Sequence, residues 1–164
     1  MGGGNSLSDN LIITSSSFKN NGTVPKKYTG FGEDISPDFF ISNLNEETVS
    51  MAIIMDDLDI PMLSSYNHWI IWNIPKTEFI PENIPYGSTV PSLSNAVQGM
   101  AYGKNRYRGP KQPVFVKSEH RYIFNFYTLY CFLDLGFKAR KKDLLKAMQG
   151  HILQQGNILF RYKR

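Results

Sequence analysis

The strongest pattern in the chain is an alternation that runs from His120 to Phe132. Tyr122, Phe124, Phe126, Thr128 and Tyr130 occupy one set of alternate positions, and Ile123, Asn125, Tyr127, Leu129 and Cys131 occupy the other. Successive strand side chains point to opposite faces, so both faces here are largely apolar or aromatic and the strand should lie centrally in a sheet. Ser50-Met51-Ala52-Ile53-Ile54-Met55 is an almost unbroken apolar run, stopped by Asp56-Asp57-Leu58-Asp59 and Pro61, and reads as a strand covered on both faces. His68-Trp69-Ile70-Ile71-Trp72-Asn73-Ile74 is rich in β-branched and aromatic residues and closes at Pro75. Leu11–Thr14 is a first short strand, Asn20-Asn21-Gly22 a tight turn, and Val24-Pro25 leads into a loop around Gly30 and Gly32.

Residues 75–119 differ. They hold six of the nine prolines, and a short piece near Asn95–Gln98 is the one strand expected there. Such a stretch is functional or disordered, and its aromatic residues favour an ordered, packed excursion. Leu144, Leu145, Met148 and Ile152 recur at helical spacing with Lys141, Lys142 and Lys146 outside, which predicts a helix over about 139–149. Gly150 either caps that helix or sits within a longer one. Asn157–Tyr162 reads as a final strand. The fold class that follows is mainly β, an antiparallel β-sandwich with a C-terminal helix. It forms one domain over residues 11–164 after a flexible tail, residues 1–10. No βαβ alternation or internal repeat is present, which disfavours a Rossmann or barrel enzyme.

Composition narrows the picture. The 164 residues are 41% hydrophobic and 20% charged, within the globular range and against wholesale disorder. The single cysteine, Cys131, excludes an internal disulfide and fits a reducing compartment; in a strand of buried neighbours it should be inert. No apolar run approaches the roughly 20 residues of a membrane-spanning helix. The start Met-Gly-Gly-Gly-Asn-Ser lacks the features of a secretory signal, so a cytoplasmic location is expected. It also fits the Met-Gly-x-x-x-Ser pattern of N-myristoylation, although three glycines read more simply as a flexible tail. Charge is split: residues 1–100 carry 4 Lys/Arg against 11 Asp/Glu, and residues 101–164 carry 14 against 3. Either the second half meets an anionic partner, or one fold interleaves both halves.

The candidate chemistry is sparse. Of three histidines, His68 and His120 each open a strand beside a loop, where a rigid scaffold can present a side chain to a pocket. Period-2 geometry puts His120 and Tyr122 on one face with Arg121 on the other, and puts Asp57 and Asp59 together if their segment is extended. Asp56, Asp57 and Asp59 with His68 could hold a divalent metal, yet no Glu-x-x-His or Cys/His ligand spacing occurs, and no metal or cofactor is expected. A hydrolase would need a nucleophile, and no Gly-x-Ser-x-Gly motif exists. The basic aromatic segment 102–117, with Lys104, Arg106, Tyr107, Arg108 and Lys111, offers nucleic acid or another polyanion as the alternative ligand.

The order of these motifs is more specific than any one of them. Asp57-Leu58-Asp59-Ile60-Pro61, Asn67-His68-Trp69, Gly109-Pro110-Lys111-Gln112-Pro113 and His120-Arg121-Tyr122 together resemble the phosphatidylethanolamine-binding protein family, which includes the Raf kinase inhibitor proteins. Gly22–Thr29 and Gly32–Pro37 look like its opening, and Leu144–Leu153 through Arg164 looks like the close of its compact prokaryotic branch. Leu58, Ser118, Lys111 and Gln112 depart from the family pattern. The resemblance implies a non-catalytic binder of anionic or phosphorylated groups, with Asp57, Asp59, His68, Gly109, Pro110, His120 and Tyr122 as ligand-binding residues. It also implies kinase modulation or protease inhibition as possible roles, with a kinase or protease as protein partner and a homodimer open as the assembly. Nucleic acid and a stable membrane anchor are not expected.

In physical terms, two imidazoles can donate N–H bonds to a phosphoryl oxygen, and the Gly109-Pro110 turn can bring backbone N–H groups near it. A carboxylate beside them would fix a tautomer yet repel a bare phosphate. A phosphoethanolamine head resolves that tension, giving phosphate to the histidines and ammonium to the acid. Two geometric expectations follow. The histidines should sit on neighbouring strands with converging rings, and one X-Pro bond, at Gly109-Pro110 or Ile60-Pro61, should be cis.

Overall fold

A computed structural model of the protein describes residues 10–164. The glycine-rich start, with its acylation-like pattern, lies outside the described residues. Chain order gives β1 (Ile12–Thr14), β2 (Gly22–Thr23), β3 (Phe39–Ser42), β4 (Ser50–Asp57), β5 (Tyr66–Pro75), β6 (Phe79–Ile80), β7 (Thr89–Val90), β8 (Ala96–Gln98), β9 (His120–Leu129), α1 (Lys141–Met148) and β10 (Ile152–Tyr162). They form a three-stranded sheet, β1-β3-β6, and a seven-stranded sheet, β2-β10-β9-β4-β5-β8-β7. The result is the expected mostly β, two-sheet architecture with one short helix. Pairing is antiparallel except where β10 meets β2.

The apolar pattern explains the layering. In β4 the odd positions Met51, Ile53 and Met55 enter the core between the sheets, with Phe124 and Phe126 of β9, Phe160 of β10, and Phe39 and Ile41 of β3. The even positions Ala52 and Ile54 enter a second cluster on the other face, where Leu144 and Met148 of α1 close over Ile70 and Trp72. Covering both faces is what a continuous apolar run requires. The basic second half and the acidic first half are woven together, because β9 and β10 lie beside β4 and β2. The charge split is therefore distributed over one fold.

Several boundaries differ from the sequence reading. β4 runs on through Asp56 and Asp57, since both carboxylates find partners at the sheet edge. β9 ends at Leu129, so Cys131 lies beyond the strand and is partly exposed, not buried within it. Its carbonyl accepts the Ser50 hydroxyl at 2.6 Å. Ile152 opens β10 rather than extending the helix, because Gly150 at φ 79° reverses the chain. β3 carried too short an alternation to stand out: Phe39 and Ile41 are buried, while Phe40 and Ser42 face outward.

Gly156, in the middle of β10, is where the chain start crosses the large sheet. Leu11 donates its N–H to the Gln155 carbonyl at 3.0 Å, and a Cβ on Gly156 would sit 2.6 Å from the Leu11 carbonyl oxygen. Gly156→Ala should destabilise the fold by about 1–3 kcal/mol in urea unfolding. Gly136→Ala, where a Cβ would meet nothing within 4 Å, serves as the control and should shift stability by less than about 0.5 kcal/mol.

Candidate functional site: a histidine–aspartate cavity

Three strand ends build the site. β4 pairs with β5 on one side and with β9 on the other, and Asp57 at its end is opposite Tyr66 and Tyr122. His68 and His120 therefore flank β4 and are not on neighbouring strands, which corrects the expected arrangement. The rings still converge, because a bulge in β5 intervenes. Asp56 pairs with Asn67 and Met55 with Trp69, leaving His68 as the extra residue. Regular alternation would have sent His68 to the α1 side. The bulge swings it instead to the inner face, where its ring meets Tyr122 edge-on at 5.4 Å and Tyr66 at 6.0 Å.

Asp57, His68, His120 and Tyr122 then line a cavity of about 340 Å³, together with apolar Ile60, Leu63, Phe115 and Val116 and with Lys111 and Gln112. The first three are nearly out of solvent, at 2%, 3% and 1% exposure. His120 Nδ1 donates to Asp57 Oδ2 at 2.8 Å, while Asp57 Oδ1 accepts the Asp59 N–H at 2.8 Å. His68 Nδ1 is 2.8 Å from the Arg108 carbonyl oxygen, which can only accept, so that nitrogen carries the proton. Both rings thus leave Nε2 outside these bonds. His120 Nε2 is buried and has no hydrogen-bond partner, an unusual state for a polar atom.

Burial holds the His68 pKa below its ordinary 6.5, against the opposing pull of the Arg108 carbonyl and the Asp57 charge. The Tyr122 phenol is pushed far up by burial, then by the Asp57 charge and a hydrogen bond to it, so it stays protonated.

The remaining expected residues take other places. Asp59 does not line the cavity; it accepts the Arg121 N–H at 2.7 Å and two guanidinium bonds at 2.9 and 2.8 Å. That pairing lowers its pKa and ties the end of β4 to β9. Gly109 and Pro110 also lie outside the cavity lining, and both are buried. The Gly109 N–H, read from sequence as free for a ligand, donates to Asp34 Oδ1 at 2.7 Å. A Cβ at Gly109 would sit 2.2 Å from the Tyr28 carbonyl oxygen, which is why glycine stands there. The Pro110 carbonyl accepts the Gly30 N–H at 2.8 Å. These bonds fix the turn without a cis bond: every peptide bond among the described residues is trans, contrary to expectation.

Sequence reasoning missed Asp34. Its carboxylate takes the Gly109 N–H and Arg106 Nη2, at 2.7 Å each, and so sets the Arg108 carbonyl that orients His68. The Gly32–Pro37 segment marked the region, but nothing in it pointed to a loop 75 residues away. The basic loop is largely paired internally: Arg106 stacks on Tyr86, Arg108 on Tyr102, and Lys111 donates to the Gly30 carbonyl. The Leu58 departure also has a structural consequence. Its N–H donates to the Arg121 carbonyl at 2.9 Å, a bond proline could not make. Among the described residues, no group of three or more acidic, His or Cys side chains is arranged to hold a metal, and no helix is long and apolar enough to cross a membrane.

Two packed sheets, with histidines from two strands converging beside a strand-end aspartate, define a β protein with a buried histidine–aspartate cavity. The family model for phosphatidylethanolamine-binding protein matches residues 14–163, and the chain belongs to that family. It is 39% identical to a UPF0098 protein of Pyrococcus abyssi over 165 residues, covering 100% of this chain and 90% of that protein. A UPF0098 protein of Archaeoglobus fulgidus is 42% identical over 154 residues, 93% of this chain and 51% of that one, so the chain spans about half that relative's length. Among solved structures, the phosphatidylethanolamine-binding protein homologue CT736 of Chlamydia trachomatis superposes with a TM-score of 0.82 at 30% identity, covering 95% and 99% of the two chains. YbcL of E. coli, at 21% identity and a TM-score of 0.83, shares the fold.

The depressed pKa of His68 makes a stability prediction. The unfolded chain binds this proton more readily than the folded one, so the His68 contribution is present above pH 6.5 and is lost as pH falls below it. Urea unfolding should show stability declining from pH 7 to 5. His68→Gln should flatten that slope, and an unchanged slope would mean that His68 is not held neutral.

Proposed function

We propose that the chain is a non-catalytic binder of a phosphoryl or similar oxyanion, held between His68 and His120. The observation that carries this reading is the buried, unpartnered Nε2 of His120 on the wall of a cavity whose other histidine is also tethered through Nδ1. Neutral rings offer only lone pairs at Nε2. Protonated rings offer N–H donors, and charge-assisted bonds to an oxyanion are the stronger kind. A further positive charge is at hand, because Lys111 also lines the cavity. Asp57 already accepts from His120 and from the Asp59 backbone. It therefore serves as the carboxylate that orients His120, rather than as a seat for a ligand's ammonium group. The apolar part of the lining suits the organic part of such a ligand. Kinase modulation and protease inhibition are roles suggested by family resemblance alone.

The test is calorimetry with a dialkyl phosphate or an alkyl sulfonate, whose own charge is constant across the range. Affinity should fall as pH rises from about 6 to 8, with proton uptake on binding as His68 charges. His120→Ala should weaken binding by about 1.5–3 kcal/mol, roughly 10- to 150-fold. Asp57→Asn should weaken it as well, because the imidazolium loses its counter-charge. Full affinity in the His120 variant, or binding without proton uptake, would place the anion elsewhere.

A further inference from the structure

A second cavity of about 290 Å³ lies between the start of α1 and the end of β5, lined by Tyr66, Asn67, Tyr102, Arg140, Lys141 and Lys142 among others. Tyr66 and Tyr102 line the histidine cavity too, so the two spaces share an aromatic wall. The wall is one layer of rings: Tyr102 packs edge-on against Tyr66 at 5.2 Å and against His68 at 5.1 Å.

The groove is strongly and asymmetrically charged. Of its three cations, Lys141 is paired with Asp56, a buried carboxylate 2.7 Å away on β4. Arg140 and Lys142 are exposed and form no salt bridge among the described residues. No carboxylate lines the groove. Asp143, the acid nearest in sequence, accepts the Arg140 backbone N–H at 2.9 Å and lies outside the lining. Arg108, whose Nε is 3.8 Å from Asp34, lies over the Tyr102 ring at 4.7 Å. Some of this chain's other basic side chains do meet carboxylates, as at Asp34 and Asp59. Two cations without a carboxylate partner therefore stand at a concave site that shares a wall with the histidine cavity.

We propose that this groove is a second anion subsite and that the chain takes a ligand bearing two anionic groups, one between His68 and His120 and one at Arg140 and Lys142. The proposal rests on the oxyanion reading of the histidine cavity and extends it to the class of ligand. The two subsites share the Tyr66–Tyr102 wall, so the anionic groups stand on either side of it, joined by a linker that crosses that edge. That linker is apolar or aromatic where it crosses. Joining the two groups makes the second contact intramolecular, which strengthens binding without any new interaction at the first subsite.

The probes are alkanediol bisphosphates of short, medium and long chain, compared with the matching alkyl monophosphates by calorimetry on the full chain. One bisphosphate length should bind at least about tenfold more tightly than its monophosphate, with shorter ones gaining little. The double variant Arg140→Gln, Lys142→Gln removes two exposed charges and no core packing. It should abolish that gain while leaving monophosphate affinity unchanged, and raised salt should erode the gain as well. Equal affinity of mono- and bisphosphates at every length would overturn the second subsite, as would a gain that survives in the double variant. Failure of the monophosphates to bind at all would instead overturn the histidine-cavity reading on which the second subsite stands.

Discussion

Strand β4 is paired along both edges, with β5 and with β9, and this double pairing is the constraint on which the site depends. Its interior needs apolar side chains on both faces, and its sequence supplies them from Met51 to Met55. At its end the same pairing continues through two carboxylates. Asp56 faces the helix side and is neutralised by Lys141; Asp57 faces the inner side and accepts from His120. A buried carboxylate is tolerated only with a partner, and here each partner comes from an element the sheet has already brought alongside. The histidine cavity is thus the polar end of the apolar core. It exists because β4 changes from hydrophobic to acidic while still fully paired.

The elements that proved legible in sequence are those with long, uninterrupted patterns. β4, β5 and β9 declared themselves through apolar alternation or runs, and the single helix through its Leu144–Met148 spacing. The ordered motifs around Asp57, His68 and His120 pointed to one family and to the right corner of the fold. What escaped were features that depend on two strands at once. Whether β5 bulges at His68 is decided by its register against β4, and no local pattern in β5 contains that register. The role of Gly109 was misread for a similar reason. A Gly-Pro turn looks like an open cradle for an anion, but its N–H is taken by Asp34, far away in sequence. Isolated motifs show which residues are special without showing which hydrogen bonds are already satisfied.

The loop between β8 and β9 shows how a segment with little regular structure is made rigid. Tyr107 donates its hydroxyl to the Tyr28 carbonyl at 2.7 Å from full burial, and Asp34 clamps Arg106 and Gly109 on either side. Gln98 closes the neighbouring turn by donating to the Pro85 and Gly87 carbonyls, at 2.9 Å each. These are polar anchors buried within the structure, and each satisfies a group that would otherwise oppose folding. Their combined effect is to place one carbonyl, that of Arg108, against one imidazole. A loop held this way can position a functional ring as strictly as a strand does, while still leaving its outer residues free to vary.

Among the described residues three buried side-chain atoms lack a hydrogen-bond partner, Thr48 Oγ1, Gln112 Oε1 and His120 Nε2, and Gln112 and His120 both line the cavity. Asp38 accepts from three consecutive serines, Asp59 holds Arg121 through three bonds, and Asn67 divides its amide among three acceptors. Against that background, a buried imidazole nitrogen without a partner is a local violation, and natural folds keep such violations where function requires them. The cost of leaving one polar atom unpaired falls on the free protein, and so does the cost of holding His68 neutral against its ordinary titration. Any ligand that brings an oxygen to both rings relieves both costs at once. Its binding energy then includes not only the new bonds but also the removal of a strain the fold carries without it. The arrangement that weakens the free protein is thus the one that an oxygen placed between the rings would relieve.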